Sequence, residues 1–115
     1  MASAATIRNK AAKKLGLLGT GQTLQSAISA DLDAAYTEVR AELEELGIML
    51  WGAADAVPDA LVGPMVSLVA GARVNEYSVP NDRYQRVMAD AVQAEGRIRA
   101  IISQARTGDT KVEQY

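Results

Sequence analysis

Apolar residues recur at steps of three and four along most of this chain, and the repeat predicts a succession of α-helices. Ala4 to Leu15 reads as a short first helix, with Arg8, Lys10, Lys13 and Lys14 loading its C-terminal half, where cations suit the helix dipole. Gly16 is its expected stop. Gly16 to Gln22 holds Gly16, Gly19 and Gly21 and reads as a compact turn, after which Thr23 or Ser26 can cap a second helix. That helix runs to about Leu46, with Gly47 as its stop. Leu24, Ile28, Leu32, Ala35, Tyr36, Val39, Leu43 and Leu46 form one stripe, and the opposite face carries Asp31, Asp33, Glu38, Glu42, Glu44 and Glu45, against the single base Arg40.

Ile48 to Val57 is a less regular connector that includes Trp51. Pro58 allows a new start and Asp59 supplies negative charge to a first turn. From about Asp59 to Tyr77 the chain is apolar nearly all round, through Leu61, Val62, Met65, Val66, Leu68, Val69 and Ala72, which predicts a central buried helix. A proline inside a helix costs about 3 kcal/mol or more, so Pro64 is expected in the first turn, with Asp59 to Gly63 as a preceding loop or short helical turn. Ser78 to Asn81, with Pro80, breaks the chain. A last helix is expected from about Asp82 to Arg106, its stripe marked by Tyr84, Val87, Met88, Ala91, Val92, Ile98, Ile101 and Ile102 and interrupted near Ala94 and Glu95. Gly96, mid-helix, reads as a point of close approach by another backbone. Residues 107–115 lose the periodicity and are expected as a flexible tail. The prediction is an all-α, single-domain bundle of about four helices over residues 1–106, followed by that tail.

Composition narrows the chemistry. The chain has 115 residues, enough for one domain with a real core. It has no Phe, one Trp and four Tyr, so Ala, Leu, Val, Ile and Met must fill that core. It has no Cys and no His, which removes thiolate ligands, the commonest general base and the commonest transition-metal ligand. The expectation is a protein that is no enzyme and has no cofactor, no metal and no small-molecule substrate. A net charge of −2 gives no global basic balance for nucleic acid. No apolar run approaches the roughly 20 residues that span a bilayer, so no membrane association is expected.

Gly16, four residues, then Gly21-Gln22-Thr23 imitates the spacing of a phosphate-binding loop. Gln22 stands where the phosphate-reaching lysine belongs, and a helix rather than a strand precedes the loop. A helix stop, turn and cap explains these residues. Glu38 and Glu42 share a helical face, but away from the apolar stripe, which reads as a solvated or partner-facing acidic surface rather than a catalytic pair. The first-helix cations fit the dipole and the acidic second helix better than nucleic acid. Trp51 and Tyr77 read as core.

Lys14-Leu15-Gly16-Leu17, then Gly19-Thr20-Gly21-Gln22-Thr23-Leu24, then Asp31-Leu32-Asp33-Ala34-Ala35-Tyr36 resemble the opening of head-to-tail connector proteins of tailed bacteriophages, the adaptor or head-completion proteins that stabilise packaged DNA. Trp51, Val57-Pro58, the apolar helix through Leu61, Leu68 and Val69, Glu76-Tyr77 with Pro80, and Arg97-Ile98-Arg99-Ala100-Ile101 are similar too. Together they cover roughly residues 5 to 105. The resemblance implies a helical bundle whose copies form a dodecameric ring beneath the portal protein. Such a ring joins portal to tail proteins and helps retain packaged DNA, with DNA a possible neighbour in its channel. It implies a place in the virion after synthesis in the host bacterial cytoplasm. Acidic and basic helix faces then suggest contacts between protomers through Glu38, Glu42, Glu45, Arg83 and Arg86. Lys111, Val112 and Tyr115 suggest a tail that adds to a partner's surface. The competing reading from the residues is a small helical regulator or chaperone-like adaptor that binds one partner helix.

Overall fold

A computed structural model describes residues 2–18, 24–47 and 56–114, with side chains described as far as Ser103. Trp51, Tyr115 and residues 19–23 of the imitated phosphate loop lie outside the described residues. Four α-helices are present among the described residues: α1 (Ala4–Leu15), α2 (Ser26–Glu45), α3 (Asp59–Arg73) and α4 (Asn81–Gln114). A 3-10 turn, Val74–Glu76, follows α3. The fold is all-α, as the periodicity predicts.

α1 has the predicted bounds, set by its two ends. Ser3 Oγ accepts the Thr6 amide at 3.2 Å, satisfying one of the amides a helix start leaves open. Gly16 takes φ 81°, a left-handed conformation, and closes the helix. The Gly16 amide then reaches Lys13 O at 3.1 Å and the Leu17 amide reaches Ala12 O at 2.9 Å, with Leu17 packed against the core. Gly47, φ 70°, ends α2 after Leu46. The predicted cap of α2 is corrected: Ser26 is already helical, the cap position is Gln25, and no side chain bonds there. Thr23, the other candidate, is outside the described residues.

Pro64 is a second correction. It lies inside α3, which begins at Asp59, so residues 59–63 are helix rather than loop. The missing proline amide forfeits one helical bond, but the ring is buried in the bundle, where it adds apolar contact. The helix predicted to run to Tyr77 instead tightens into the 3-10 turn after Arg73.

α3 packs against α1, α2 and α4 and carries the centre of the core, with Met65, Val69 and Ala70 fully buried. Around it lie Ile7, Ala11, Ala12 and Leu15 from α1, Leu32, Ala35, Tyr36, Val39 and Leu43 from α2, and Val87, Ala94, Ile98 and Ile102 from α4. Two expectations about α4 fail together. Val92, placed on the apolar stripe, is 76% exposed, and Ala94, read as an interruption, is buried. Gly96 has nothing within 4 Å of where a Cβ would stand. The close crossing is at Gly71 of α3, where a Cβ would sit 2.6 Å from Ala91 Cβ. With small residues at that crossing, α3 and α4 come near enough for Ala94 to be core. Ala2 and Val57 exchange both backbone hydrogen bonds, at 2.9 and 2.8 Å, and tie the chain before α1 to the entry of α3. α4 continues to Gln114, so residues 107–114 of the segment expected as a tail are helical.

Candidate functional site: charged outer faces of a helical bundle

Several charges are used inside the bundle. Arg73, at the end of α3, donates from Nε to Asp31 at 3.0 Å and from Nη2 to Glu38, both on α2, and its Nε lies 3.9 Å from Glu76. Tyr77 Oη donates to the other Asp31 oxygen at 2.6 Å. The Tyr77 hydrogen bond, with Arg73 beside it, holds the Asp31 carboxyl below the usual carboxylate range against the opposing effect of burial. Burial, then the Asp31 carboxylate, pushes the Tyr77 hydroxyl up to about 12. Glu38, and after it Asp31, raise Arg73 above its ordinary value, with burial opposing. This clamp fixes α2 against α3. Nothing in the sequence marks it, because its members are 31 to 77 in the chain and meet only after the helices pack.

Two further pairs join helices: Arg8 on α1 with Asp33 on α2 at 3.1 Å, and Lys14 on α1 with Asp90 on α4. Arg83 bonds Lys13 O at 3.4 Å and Lys14 O at 3.2 Å, carbonyls at the C-terminal end of α1. Of the predicted protomer contacts, Glu38 and Arg83 are thus engaged within the chain. Glu42, Glu45 and Arg86 are exposed and have no ion pair among the described residues. Glu44 and Arg97 share that condition. The side chains of Lys111, Val112 and Tyr115 lie outside the described residues.

The unpaired carboxylates Glu42, Glu44 and Glu45 crowd the last turn of α2, where the helix dipole is itself negative and no basic residue is present. The unpaired guanidinium groups Arg86 and Arg97 lie on α4. α3 packs against both helices, whereas α2 and α4 share no substantial contact. One protomer therefore presents acidic and basic outer faces on separate helices.

The clefts offer no comparable chemistry. The largest described, about 790 Å³, lies between α1, α3 and α4. Lys10, Lys14, Arg97, Asp59 and Asp90 line it, a mixture of signs crossed by the Lys14–Asp90 pair. Among the described residues no cluster of three or more acidic side chains is arranged to hold a metal ion. None of the described helices is long and apolar enough to cross a membrane. No protein family, curated protein or solved structure matches this chain.

Proposed function

We propose that this chain is a structural subunit of a virion, a head-to-tail adaptor whose copies form a ring under the portal, join it to the tail and help retain packaged DNA. The observation that carries this reading is the unspent charge. Glu42, Glu44 and Glu45 at one end of α2 and Arg86 and Arg97 on α4 have no partners among the described residues of their own chain. Carboxylates stacked against the negative end of a helix dipole cost stability, and a docked cationic surface removes that cost. Complementary patches on different helices of one protomer suit heterologous contact, which closes into a ring when the rotation permits. The order and spacing of the motifs from Lys14-Leu15-Gly16-Leu17 to Arg97-Ile98-Arg99-Ala100-Ile101 direct the reading to the phage connector rather than to another ring.

The test is to mix the purified chain with a candidate portal protein and measure mass by light scattering, then view the product by electron microscopy. A ring of this chain seated on one end of the portal is the expected result. Tight binding of a single copy to one helix of an unrelated protein, with no affinity for the portal, would favour the regulatory or chaperone-like adaptor and sink the connector reading. Deleting residues 107–115 is expected to abolish incorporation while leaving the melting temperature almost unchanged, checked by thermal circular dichroism, although the last two turns of α4 are removed.

A further inference from the structure

We infer that the outer face of α2 of one copy docks on the outer face of α4 of the next, a helix-on-helix contact between unlike surfaces. The inference rests on the self-associating part of the proposed function and not on the identity of the larger assembly.

Both faces lie opposite the stripes that enter the core. On α2, Ala27, Ala30, Ala34, Thr37 and Ala41 recur at steps of three and four and are all exposed, behind buried Leu32, Val39 and Leu43. On α4, Ala89, Val92, Gly96 and Ala100 make the corresponding exposed row, behind buried Val87, Ala94, Ile98 and Ile102. Two observations say that this α4 face has an occupant. Val92 sits in its middle at 76% exposed, the more exposed of the two large apolar side chains that face solvent among the described residues. Gly96 weakens the helix by roughly 1 kcal/mol relative to Ala, yet nothing of its own chain comes within 4 Å of a Cβ there. The protomer does not need that glycine, whereas a helix crossing from outside at the close end of the usual 8–10 Å range does.

Charge selects the occupant. Arg86 and Arg97 flank the α4 row on one side, and neither has an ion pair among the described residues. Glu42 flanks the α2 row and Glu45 continues it one turn past Ala41, both without an ion pair among the described residues. A second copy of this chain therefore brings a row of small residues edged by carboxylates to a row of small residues edged by guanidinium groups. Because the two rows are on helices that scarcely touch within a protomer, each copy can use both at once, and the contact propagates.

The chain has no cysteine, so disulfide trapping can be read without background. Single variants Ala34→Cys, Ala41→Cys, Ala89→Cys and Ala100→Cys would be mixed pairwise under brief oxidation. Cross-links between an α2 variant and an α4 variant are expected, and a chain carrying one of each should give a ladder of oligomers. Cross-links of an α2 variant with itself or an α4 variant with itself, in place of the mixed product, would overturn the inference, as would no trapping where sedimentation shows association. As a second measurement, Glu42→Arg should weaken association by about tenfold or more, with recovery when the other copy carries Arg86→Glu. Reversal without recovery in any register tested, including Arg97→Glu, would also overturn it. Association through other faces leaves the connector reading standing. A trapped α2–α4 ladder that ignores the portal ends the connector reading and leaves this inference intact.

Discussion

α1 and α2 both stop at a glycine in the left-handed region, Gly16 at φ 81° and Gly47 at φ 70°, yet the two ends are built to opposite specifications. The end of α1 carries Lys13 and Lys14, closes its last carbonyls with the Gly16 and Leu17 amides, and receives the Arg83 guanidinium on the remaining ones. Leu15 in that last turn is buried. The end of α2 carries Glu42, Glu44 and Glu45, has no cation in its last turn, and finishes on Leu46 at 54% exposed. Every feature that stabilises a helix end within its own chain is present in the first and scarce in the second. A terminus that works against its own dipole and shows a leucine to water is the surface that our proposal assigns to a second copy.

This contrast can be broken at several levels. The largest expected effect is at the leucines. Leu15→Ala should cost about 2–5 kcal/mol, the usual penalty for emptying a packed site, and Leu46→Ala should stay within about 0.5 kcal/mol, both by urea denaturation. Comparable losses would place Leu46 in a core of its own chain. The glycines come next. Gly47→Ala should cost about 1–2 kcal/mol for the left-handed backbone alone, since a Cβ there meets nothing within 4 Å. Gly16→Ala should cost more, because its Cβ would stand 3.2 Å from Arg83 Cζ and push the guanidinium from the α1 carbonyls. Equal losses would mean that Arg83 is not held there in solution.

Smaller effects separate the charges. Arg83→Gln should cost roughly 0.5–1.5 kcal/mol, the net worth of ordinary hydrogen bonds, since the side chain is exposed. Glu45→Lys should raise the stability of the isolated chain by about 0.3–1 kcal/mol at low salt, an increase that fades as salt is added. The same substitution should weaken association between copies, measured by sedimentation, and that opposition of signs is what an interface residue predicts. Stabilisation with unchanged association would return Glu45 to the bulk surface.

These comparisons belong within the pH window where the clamp between α2 and α3 is intact. The Asp31 carboxyl is lowered in the folded chain, so its contribution is full above the ordinary carboxylate value of about 4 and is lost as pH falls through the lowered folded value. The Tyr77 hydroxyl is raised from 10.0 to about 12, so its contribution is full below the first value and is lost as pH rises from it toward the second. Tyr77→Phe should remove the alkaline loss and part of the acid one, read from melting temperature against pH.

The Gly71–Ala91 crossing and Gly96 show why patterns of residue type reach only so far. Both glycines lie inside helices and look alike in the chain, but a Cβ added at Gly71 would stand 2.6 Å from Ala91 Cβ on the neighbouring helix, whereas one added at Gly96 would meet nothing within 4 Å. A Gly71→Ala change should force α3 from α4, while Gly96→Ala should gain up to about 1 kcal/mol of helix propensity, with both read from urea melts. Period alone places Val92 on the apolar stripe and leaves Ala94 off it, because valine is strongly apolar and alanine carries too little side chain to mark a face. The packing of α3 against small residues of α4 reverses the assignment.

The sequence by itself determined the helical class, the bounds of α1, the glycine stops of α1 and α2, the central place of α3 and the acidic character of α2. These follow from local causes: periodicity, left-handed glycine and charge along a helix. Tertiary structure alone decided that Pro64 lies within α3, that Arg73 gathers Asp31, Glu38 and Glu76, and that Arg83 caps α1 from α4. It also decided which charges are left without an ion pair among the described residues. Glu38 and Glu42 are equivalent by spacing and type, and only the position of α3 gives Arg73 to one of them. Charge becomes an interaction surface by what remains after the chain has paired with itself, and that remainder depends on contacts between residues far apart in the chain.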